Sequence, residues 1–218
     1  MIISTSNAQI KELAKLQKKS RLRDEKGIFL VEGPRMTEEI PAERIEKVYA
    51  SESFAKKNKE FLEKLQAPVE LLTDTVFAYV SDTKTPQGIL AIVKRLNYTM
   101  NDLMQMKNQK APHLVVLDNL QDPGNLGTIL RAGEAAGVTG VIMSHDCVDI
   151  YNPKVIRSTM GSIYRMPFVY VEDLPEVLEE LKRRGIHCYA AHLEGKNSMP
   201  ALAGLKVALL IANGFNER

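Results

Sequence analysis

The stretch LVVLDNLQDPGNLGTILRAGEAAGV, residues 114–138, contains the clearest succession of structural signals in the chain. Residues 114–117 are apolar and rich in valine, which predicts a buried parallel strand. Residues 118–127 contain Asn, Asp, Pro and Gly and predict a loop. From Thr128, apolar residues recur at helical spacing until Gly137 ends the pattern. Strand, loop and helix in this order form half of a βαβ unit, and open α/β sheets bind ligands at such loops.

Strand and helix patterns alternate along the rest of the chain. Further strands are predicted at residues 27–31, 47–50, 69–72, 88–94, 140–144, 167–170, 186–190 and 207–211. Further helices are predicted at residues 6–19, 54–65, 73–80, 100–107, 152–158 and 175–184. The pattern predicts an α/β protein with a small N-terminal α/β domain at residues 1–95, a linker at 96–111 and a Rossmann-like parallel-sheet domain at 112–218.

Composition excludes several classes of protein. A hydrophobic content of 44% and a charged content of 26% are those of an ordinary globular chain. The sequence has no apolar run near the roughly 20 residues of a membrane span, and its N-terminus is charged too early for a secretory signal. We therefore expect a cytoplasmic protein. Two cysteines are too few for a disulfide framework or a zinc site, and no metal is expected.

The net charge of +2 is small, but basic residues are concentrated near the N-terminus. Residues 11–26 hold seven cations against three acidic residues: Lys11, Lys15, Lys18, Lys19, Arg21, Arg23 and Lys26 against Glu12, Asp24 and Glu25. Such an excess suits phosphate contacts with a nucleic acid. It is also consistent with the solvated face of a helix, and charge alone favours that interpretation.

Three ordered motifs resemble one family. The first runs from Asp118 through Asn125 to Arg131, the second covers residues 151–158 with Gly161 and Ser162, and the third combines residues 29–35 with 85–91. Together they resemble the SpoU (TrmH-type) family of RNA ribose 2′-O-methyltransferases, within the SPOUT superfamily. The likeness extends over both predicted domains up to about residue 211.

The resemblance implies a function and an architecture. The family transfers a methyl group from S-adenosylmethionine to RNA, members with this N-terminal domain act mostly on rRNA, and the enzymes work as homodimers. The methyltransferase domain of the family is a trefoil knot, an exception to the rule of unknotted chains. The N-terminal domain of the family binds RNA.

The resemblance also assigns roles to residues. It implies that Arg131 activates the 2′-hydroxyl and that Asn125 orients the ribose or Arg131, with Asn119 a weaker candidate. Without the resemblance, Arg131 reads as a surface arginine and Asn125 as a turn residue. The cofactor is expected at the ends of the last two strands, at Ala191, His192, Leu193, Leu210 and Ile211. RNA contacts are expected from Lys18, Lys19, Arg21, Arg23, Glu32, Arg35 and Arg157, although Glu32 and Arg35 could instead pair with each other.

The end of the chain departs from the family pattern. The family completes its cofactor pocket with a GNEG-like loop and an SLN-containing helix, whereas this sequence reads ANGFNER from residue 212 to residue 218. We therefore expect an incomplete knot and a flexible segment after Ile211. The alternative function is an RNA-binding protein without catalysis. A Rossmann-type dinucleotide enzyme is excluded because no G-x-G-x-x-G follows a strand.

Overall fold

Two β-sheets organise the part of the chain that this computed structural model describes, residues 1–104, 111–191 and 206–212. The strands are β1 (Ile28–Glu32), β2 (Ile45–Ser51), β3 (Val69–Leu72), β4 (Ile89–Lys94), β5 (His113–Asp118), β6 (Gly140–Ser144), β7 (Phe168–Val171), β8 (His187–Ala190) and β9 (Val207–Ala212). The helices are α1 (Ala8–Lys18), α2 (Ser20–Lys26), α3 (Pro34–Glu38), α4 (Glu52–Lys57), α5 (Lys59–Lys64), α6 (Asp74–Val80), α7 (Met100–Met104), α8 (Pro123–Ala135), α9 (Pro153–Thr159) and α10 (Leu174–Arg183).

The first unit contains Met1–Leu96 together with Tyr151–Tyr164. Its mixed sheet has the order β1-β4-β2-β3, in which β2 and β3 are parallel and the other neighbours are antiparallel. Helices α1 and α6 cover one face with apolar side chains, among them Ile10, Leu13 and Phe77. Every residue of β1 is buried, as expected for a strand covered on both faces.

The segment Tyr151–Tyr164, which sequence analysis assigned to the second domain, is part of this first unit. The hydroxyl of Tyr151 accepts the N–H of Leu96 at 3.0 Å and donates to the Leu96 carbonyl at 2.9 Å. The ring of Tyr151 also packs against Phe29, with centroids 4.8 Å apart. The hydroxyl of Tyr164 donates to the Met36 carbonyl. These bonds attach the segment to the first unit at both of its ends.

The second unit contains Asn97–Ile150 and Arg165–Arg218. Within its described residues, five parallel strands form a sheet in the order β7-β6-β5-β9-β8. Helices α7 and α10 contribute Leu103, Leu174 and Leu181 to an apolar cluster on this sheet. The predicted parallel α/β sheet is therefore confirmed, with β5 at its centre. The rest of the predicted 100–107 helix, residues 105–107, lies outside the described residues.

Helix α8 begins earlier than the sequence predicted. The apolar periodicity predicts a start at Thr128, but the helix begins at Pro123, with Asp122 as its N-cap. The Asp122 carboxylate accepts the N–H of Asn125 at 2.6 Å. An aspartate before a proline at the first helical position is a helix-start signal, and the loop-like composition of the segment concealed it. Asn125 therefore lies in the first turn of the helix and not in a loop.

The basic N-terminal segment contains a helix that sequence analysis did not predict, α2. Arg23 of α2 is only 3% exposed, and its guanidinium donates to the carbonyls of Leu16 and Gln17 at the end of α1. Four carbonyls at a helix end lack intrahelical partners, and Arg23 supplies donors to two of them. The expectation that Arg23 contacts RNA is therefore wrong, because the side chain is buried against α1.

No helix among the described residues is long and apolar enough to cross a membrane.

We predict that Arg23→Ala lowers the free energy of unfolding by about 2 kcal/mol, because it leaves buried carbonyls without donors. The matched control is Arg21→Ala in the same helix. The Arg21 side chain is 91% exposed and pairs with Glu25 of the same helix, so its removal should cost less than about 0.5 kcal/mol. Urea unfolding monitored by circular dichroism measures both values, and equal values would contradict the assignment.

Candidate functional site

The carboxyl ends of four strands of the second sheet share one edge. In the sheet register, Leu117 of β5 pairs with Met143 of β6 on one side and with Ile211 of β9 on the other. Ala190 of β8 pairs with Leu210 of β9. The residues that follow these strands therefore meet at the edge where open parallel sheets bind ligands. We call this the carboxyl edge.

The turn after β5 is held in an unusual conformation at the carboxyl edge. Asn119 has a φ of 50°, a left-handed conformation that asparagine tolerates better than most residues. Its backbone N–H donates to the Ser144 hydroxyl at 2.9 Å. Its side-chain oxygen accepts from the amide of Gln121 at 2.7 Å. The exposed Asn119 side chain is therefore oriented by neighbours within the second unit.

The predicted site residues Asn125 and Arg131 both lie on the exposed face of α8. The two positions are six residues apart, so they are about 120° apart around the helix and about 9 Å apart along it. Thr128, which is also exposed, lies between them. The Arg131 guanidinium has no hydrogen bond or ion pair to the residues that the structure describes.

Arg131 lies far from the carboxyl edge along α8. Strands β5 and β6 are parallel, so α8 must return the chain to the opposite edge of the sheet. Glu134, one turn after Arg131, pairs with Arg165, which stands just before the start of β7. Arg131 lies about 12 Å along the axis from Pro123. The helix start predicted at Thr128 would put Arg131 in the first turn, but the helix begins five residues earlier, so Arg131 lies in its third turn.

The predicted cofactor residues that the structure describes lie together at the ends of β8 and β9. The N–H of Ala191 donates to the Leu210 carbonyl at 2.9 Å. Ala191 is exposed, and Leu210 and Ile211 are partly exposed. Accessible apolar side chains at adjacent strand ends fit the flat faces of an adenine ring, so these residues fit the group that the resemblance implies. His192 and Leu193 lie outside the described residues, as do the residues after Ala212.

Two further features of the second unit bear on its chemistry. Cys147 is buried and Cys188 is partly buried, and neither forms a disulfide. Burial raises the pKa of the Cys188 thiol, so this thiol is not activated as a nucleophile. Among the described residues, no group of three or more His, Cys, Asp or Glu side chains is arranged to hold a metal ion.

In the first unit, Glu32 is buried beneath the loop formed by residues 81–88. Its carboxylate accepts hydrogen bonds from the hydroxyls of Ser81 and Thr83 and from the backbone N–H of Gln87. The side chain of Gln87 lies against Gly33, where a Cβ would be 2.6 Å from its Oε1 atom. Glu32 does not pair with Arg35. Its predicted RNA contact is not possible in this conformation, because Glu32 is 8% exposed and its bonds go to the loop.

The other predicted RNA-binding residues are at the surface of the first unit. Lys18, Lys19, Arg21 and Arg35 are exposed. Arg157 of α9 forms an ion pair with Asp82, which lies in the same loop that Glu32 holds, with Nη1 3.0 Å from Oδ2. The loop is thus attached to the first unit through Glu32 and through Arg157. Lys84, Thr85, Pro86 and Gln87 are exposed at its tip.

A shallow groove of about 460 Å³ borders this loop in the first unit. Phe54, Phe77 and Pro86 supply apolar surface, and Lys57 and Asp74 supply charge. The hydroxyl of Ser53 donates to Asp74 and lowers the pKa of that carboxyl group. The groove has no local sequence motif that could have predicted it, because its residues come from three separate segments of the chain.

Comparisons with known proteins agree with the motifs. Residues 112–212 match the SpoU rRNA Methylase family, and residues 7–91 match the MRM3-like substrate binding domain. The 23S rRNA (guanosine(2553)-2′-O)-methyltransferase RlmP of Bacillus subtilis is 31% identical over 88% of this chain and 73% of its own.

Solved structures show the same fold. A crystal structure of an RNA 2′-O ribose methyltransferase has a TM-score of 0.78 at 27% identity, over 97% of this chain and 81% of the other. The AdoMet-bound rRNA methyltransferase of Sinorhizobium meliloti has a TM-score of 0.80 at 24% identity, over 99% of this chain and 81% of the other.

We predict that Glu32→Ala increases tryptic cleavage after Lys84 about tenfold, because the loop loses the acceptor that holds its hydroxyls and opens more often. Glu38→Ala is the control, since Glu38 is an exposed residue of the neighbouring helix α3. Mass spectrometry of the early fragments measures the cleavage rate. Equal rates for the two variants would show that Glu32 does not hold the loop.

Proposed function

The chain belongs to the SpoU rRNA methylase family, and from this premise we propose that it methylates a ribose 2′-hydroxyl of ribosomal RNA with S-adenosylmethionine. The single observation that carries the proposal is the order of the two matched segments, a substrate-binding domain followed by a methylase domain. The name of the Bacillus subtilis relative, which matches most of this chain, states a 2′-O-methyltransferase of 23S rRNA and supports the substrate class and the position of the methyl group.

Methyl transfer to a 2′-hydroxyl makes three demands on a protein. The hydroxyl oxygen must be aligned with the methyl group, its proton must pass to the solvent, and the RNA backbone must be held. S-adenosylmethionine supplies an electrophilic methyl group, so that an oxygen–carbon bond forms while the carbon–sulfur bond breaks. The protein supplies position and charge.

Arg131 provides the charge in this proposal. A guanidinium is not deprotonated in proteins, so it does not act as a literal base. It stabilises the negative charge that develops on the 2′-oxygen and binds the adjacent phosphate through two parallel hydrogen bonds. The exposed position of Arg131, without a partner among the described residues, leaves the guanidinium available for this role. Asn125 orients the ribose from the first turn of the same helix.

The cofactor is held at the carboxyl edge by Ala191, Leu210 and Ile211. The RNA is held by the exposed cations of the first unit, namely Lys18, Lys19, Arg21 and Arg35. Contacts of this kind with phosphates bind RNA without reading its sequence. The 2′-hydroxyl that accepts the methyl group is also what distinguishes RNA from DNA.

We further propose that the active unit is a homodimer whose site is shared between two copies. Arg131 lies more than two turns along α8 from the edge that holds the cofactor residues, which is farther than an arginine side chain extends. A second copy that presents its own carboxyl edge to the exposed face of α8 would bring the two halves together. Ala132 and Ala135 of this helix are exposed, and their small side chains allow close approach.

The first experiment tests the activity. We expect the purified protein to bind S-adenosylmethionine in a calorimeter and to transfer a radiolabelled methyl group to unmodified rRNA. The labelled position should resist alkaline hydrolysis, because a methylated 2′-oxygen cannot attack the adjacent phosphate. Absence of cofactor binding together with retained RNA binding would favour the non-catalytic alternative.

The second experiment tests the shared site. Arg131→Ala should lower kcat at least about 100-fold, as expected for loss of a charge that stabilises the transition state. The control is Arg184→Ala, which removes an exposed arginine of the second unit that pairs with Glu180. Ala191→Trp should abolish cofactor binding, because the larger side chain occupies the carboxyl edge.

Mixing the two inactive variants, Arg131→Ala and Ala191→Trp, distinguishes a site shared between two copies from a site formed within one chain. If the site is shared, a mixed dimer has one intact site, and an equal mixture should regain about a quarter of the wild-type activity. If Arg131 serves the cofactor of its own chain, the mixture should remain inactive, and the shared site would be refuted.

A further inference from the structure

The turn between β5 and α8 depends on the turn that follows β6. A left-handed conformation such as that of Asn119 costs free energy in a residue with a side chain, so it persists only where neighbours stabilise it. The Asn119 N–H reaches the Ser144 hydroxyl. The next residue, Leu120, donates its N–H to Cys147 Sγ at 3.3 Å and accepts from the N–H of Val148 at 2.8 Å.

The thiol of Cys147 lies at the centre of this arrangement. Its Sγ atom is 3.4 Å from the Leu117 carbonyl and 3.6 Å from the Ser144 Oγ. Ser144 and Cys147 are 6% and 7% exposed. We call Ser144 and Cys147 the clamp.

One placement of the protons gives a hydrogen-bond partner to each side chain of the clamp and to the backbone groups that it contacts. The thiol of Cys147 donates to the Leu117 carbonyl, and the hydroxyl of Ser144 donates to Sγ. The N–H groups of Asn119 and Leu120 then point at Ser144 Oγ and Cys147 Sγ. A thiol is a weak donor and a weak acceptor, but a buried network with no unsatisfied member is more rigid than its separate bonds suggest.

We propose that Ser144 and Cys147 are positioning residues for methyl transfer. This inference rests on the proposed function. The clamped turn lies between two parts of the proposed site, because Leu117 pairs with Ile211 on the cofactor side and Asp122 caps the helix that carries Asn125 and Arg131. A loosened turn would displace the start of α8 relative to the carboxyl edge. The clamp touches neither RNA nor cofactor and acts through the turn.

The chain provides a matched control at the opposite end of β5. The hydroxyl of Thr139 accepts the N–H of His113 at 3.0 Å and donates to the His113 carbonyl at 2.9 Å. Thr139 therefore stabilises the start of β5 by hydrogen bonds, and Ser144 stabilises the turn after the end of β5 in the same way. Thr139→Ala should destabilise the fold to a similar extent without loosening the turn.

The test compares Ser144→Ala and Thr139→Ala by three measurements. Hydrogen exchange of the peptide covering residues 118–122, measured without substrate, should accelerate about tenfold in Ser144→Ala only, since one hydrogen bond of ordinary strength is lost. The same variant should lower kcat about tenfold, while the KM for RNA and the Kd for the cofactor stay within about threefold of wild type. The midpoint of thermal unfolding should fall in both variants.

Two further variants test the second residue of the clamp. Cys147→Ser keeps a donor and an acceptor and should retain more activity than Cys147→Ala.

The outcomes separate the clamp from the proposed function. If Ser144→Ala matches Thr139→Ala in stability but leaves exchange and kcat unchanged, the clamp is refuted. If exchange accelerates in an active enzyme while kcat is unchanged, the positioning role alone is refuted. A wild-type protein that transfers no methyl group refutes the proposed function and with it the catalytic part of this inference, whatever the exchange measurement shows.

Discussion

The parallel pairing of β5 with β9 is the constraint on which the proposed active site depends. The two strands are about ninety residues apart in sequence, yet they pair in register from His113–Val207 to Asp118–Ala212. Closing so long a connection costs conformational entropy, which the buried apolar strands must offset. Because both strands end at the same edge, the pairing brings the start of α8 beside the proposed cofactor residues.

Much of the fold could be predicted from local patterns, because strands and amphipathic helices repeat at characteristic periods. Val69–Leu72 and Gly140–Ser144 were predicted to the residue. The start of α8 was missed because aspartate, proline and glycine occur in turns as well as at helix starts. The order of the strands was beyond prediction, since periodicity carries no information about which strands become neighbours.

The site was less predictable than the fold, because a side chain's role depends on what surrounds it. Arg23 and Arg21 stand two positions apart in one basic segment, and the first is buried against carbonyls while the second is in solvent. Glu32 belongs to a motif that suggested RNA contact, but its partners come from residues about fifty positions later. The resemblance to a family supplied roles for Arg131 and Asn125. The clamp of Ser144 and Cys147 carries no recognisable signal at all.

The membership of Tyr151–Tyr164 in the first unit has a consequence for how this protein can be divided. The matched substrate-binding segment ends at residue 91, and a gene fragment cut soon after it would look like a complete domain. That fragment would lack the ring that covers Phe29 and the hydroxyl that bonds to Leu96. It would also lose the arginine that pairs with Asp82. Recombination between relatives at the apparent domain boundary would therefore separate β1 from packing side chains that are encoded some sixty residues beyond that boundary.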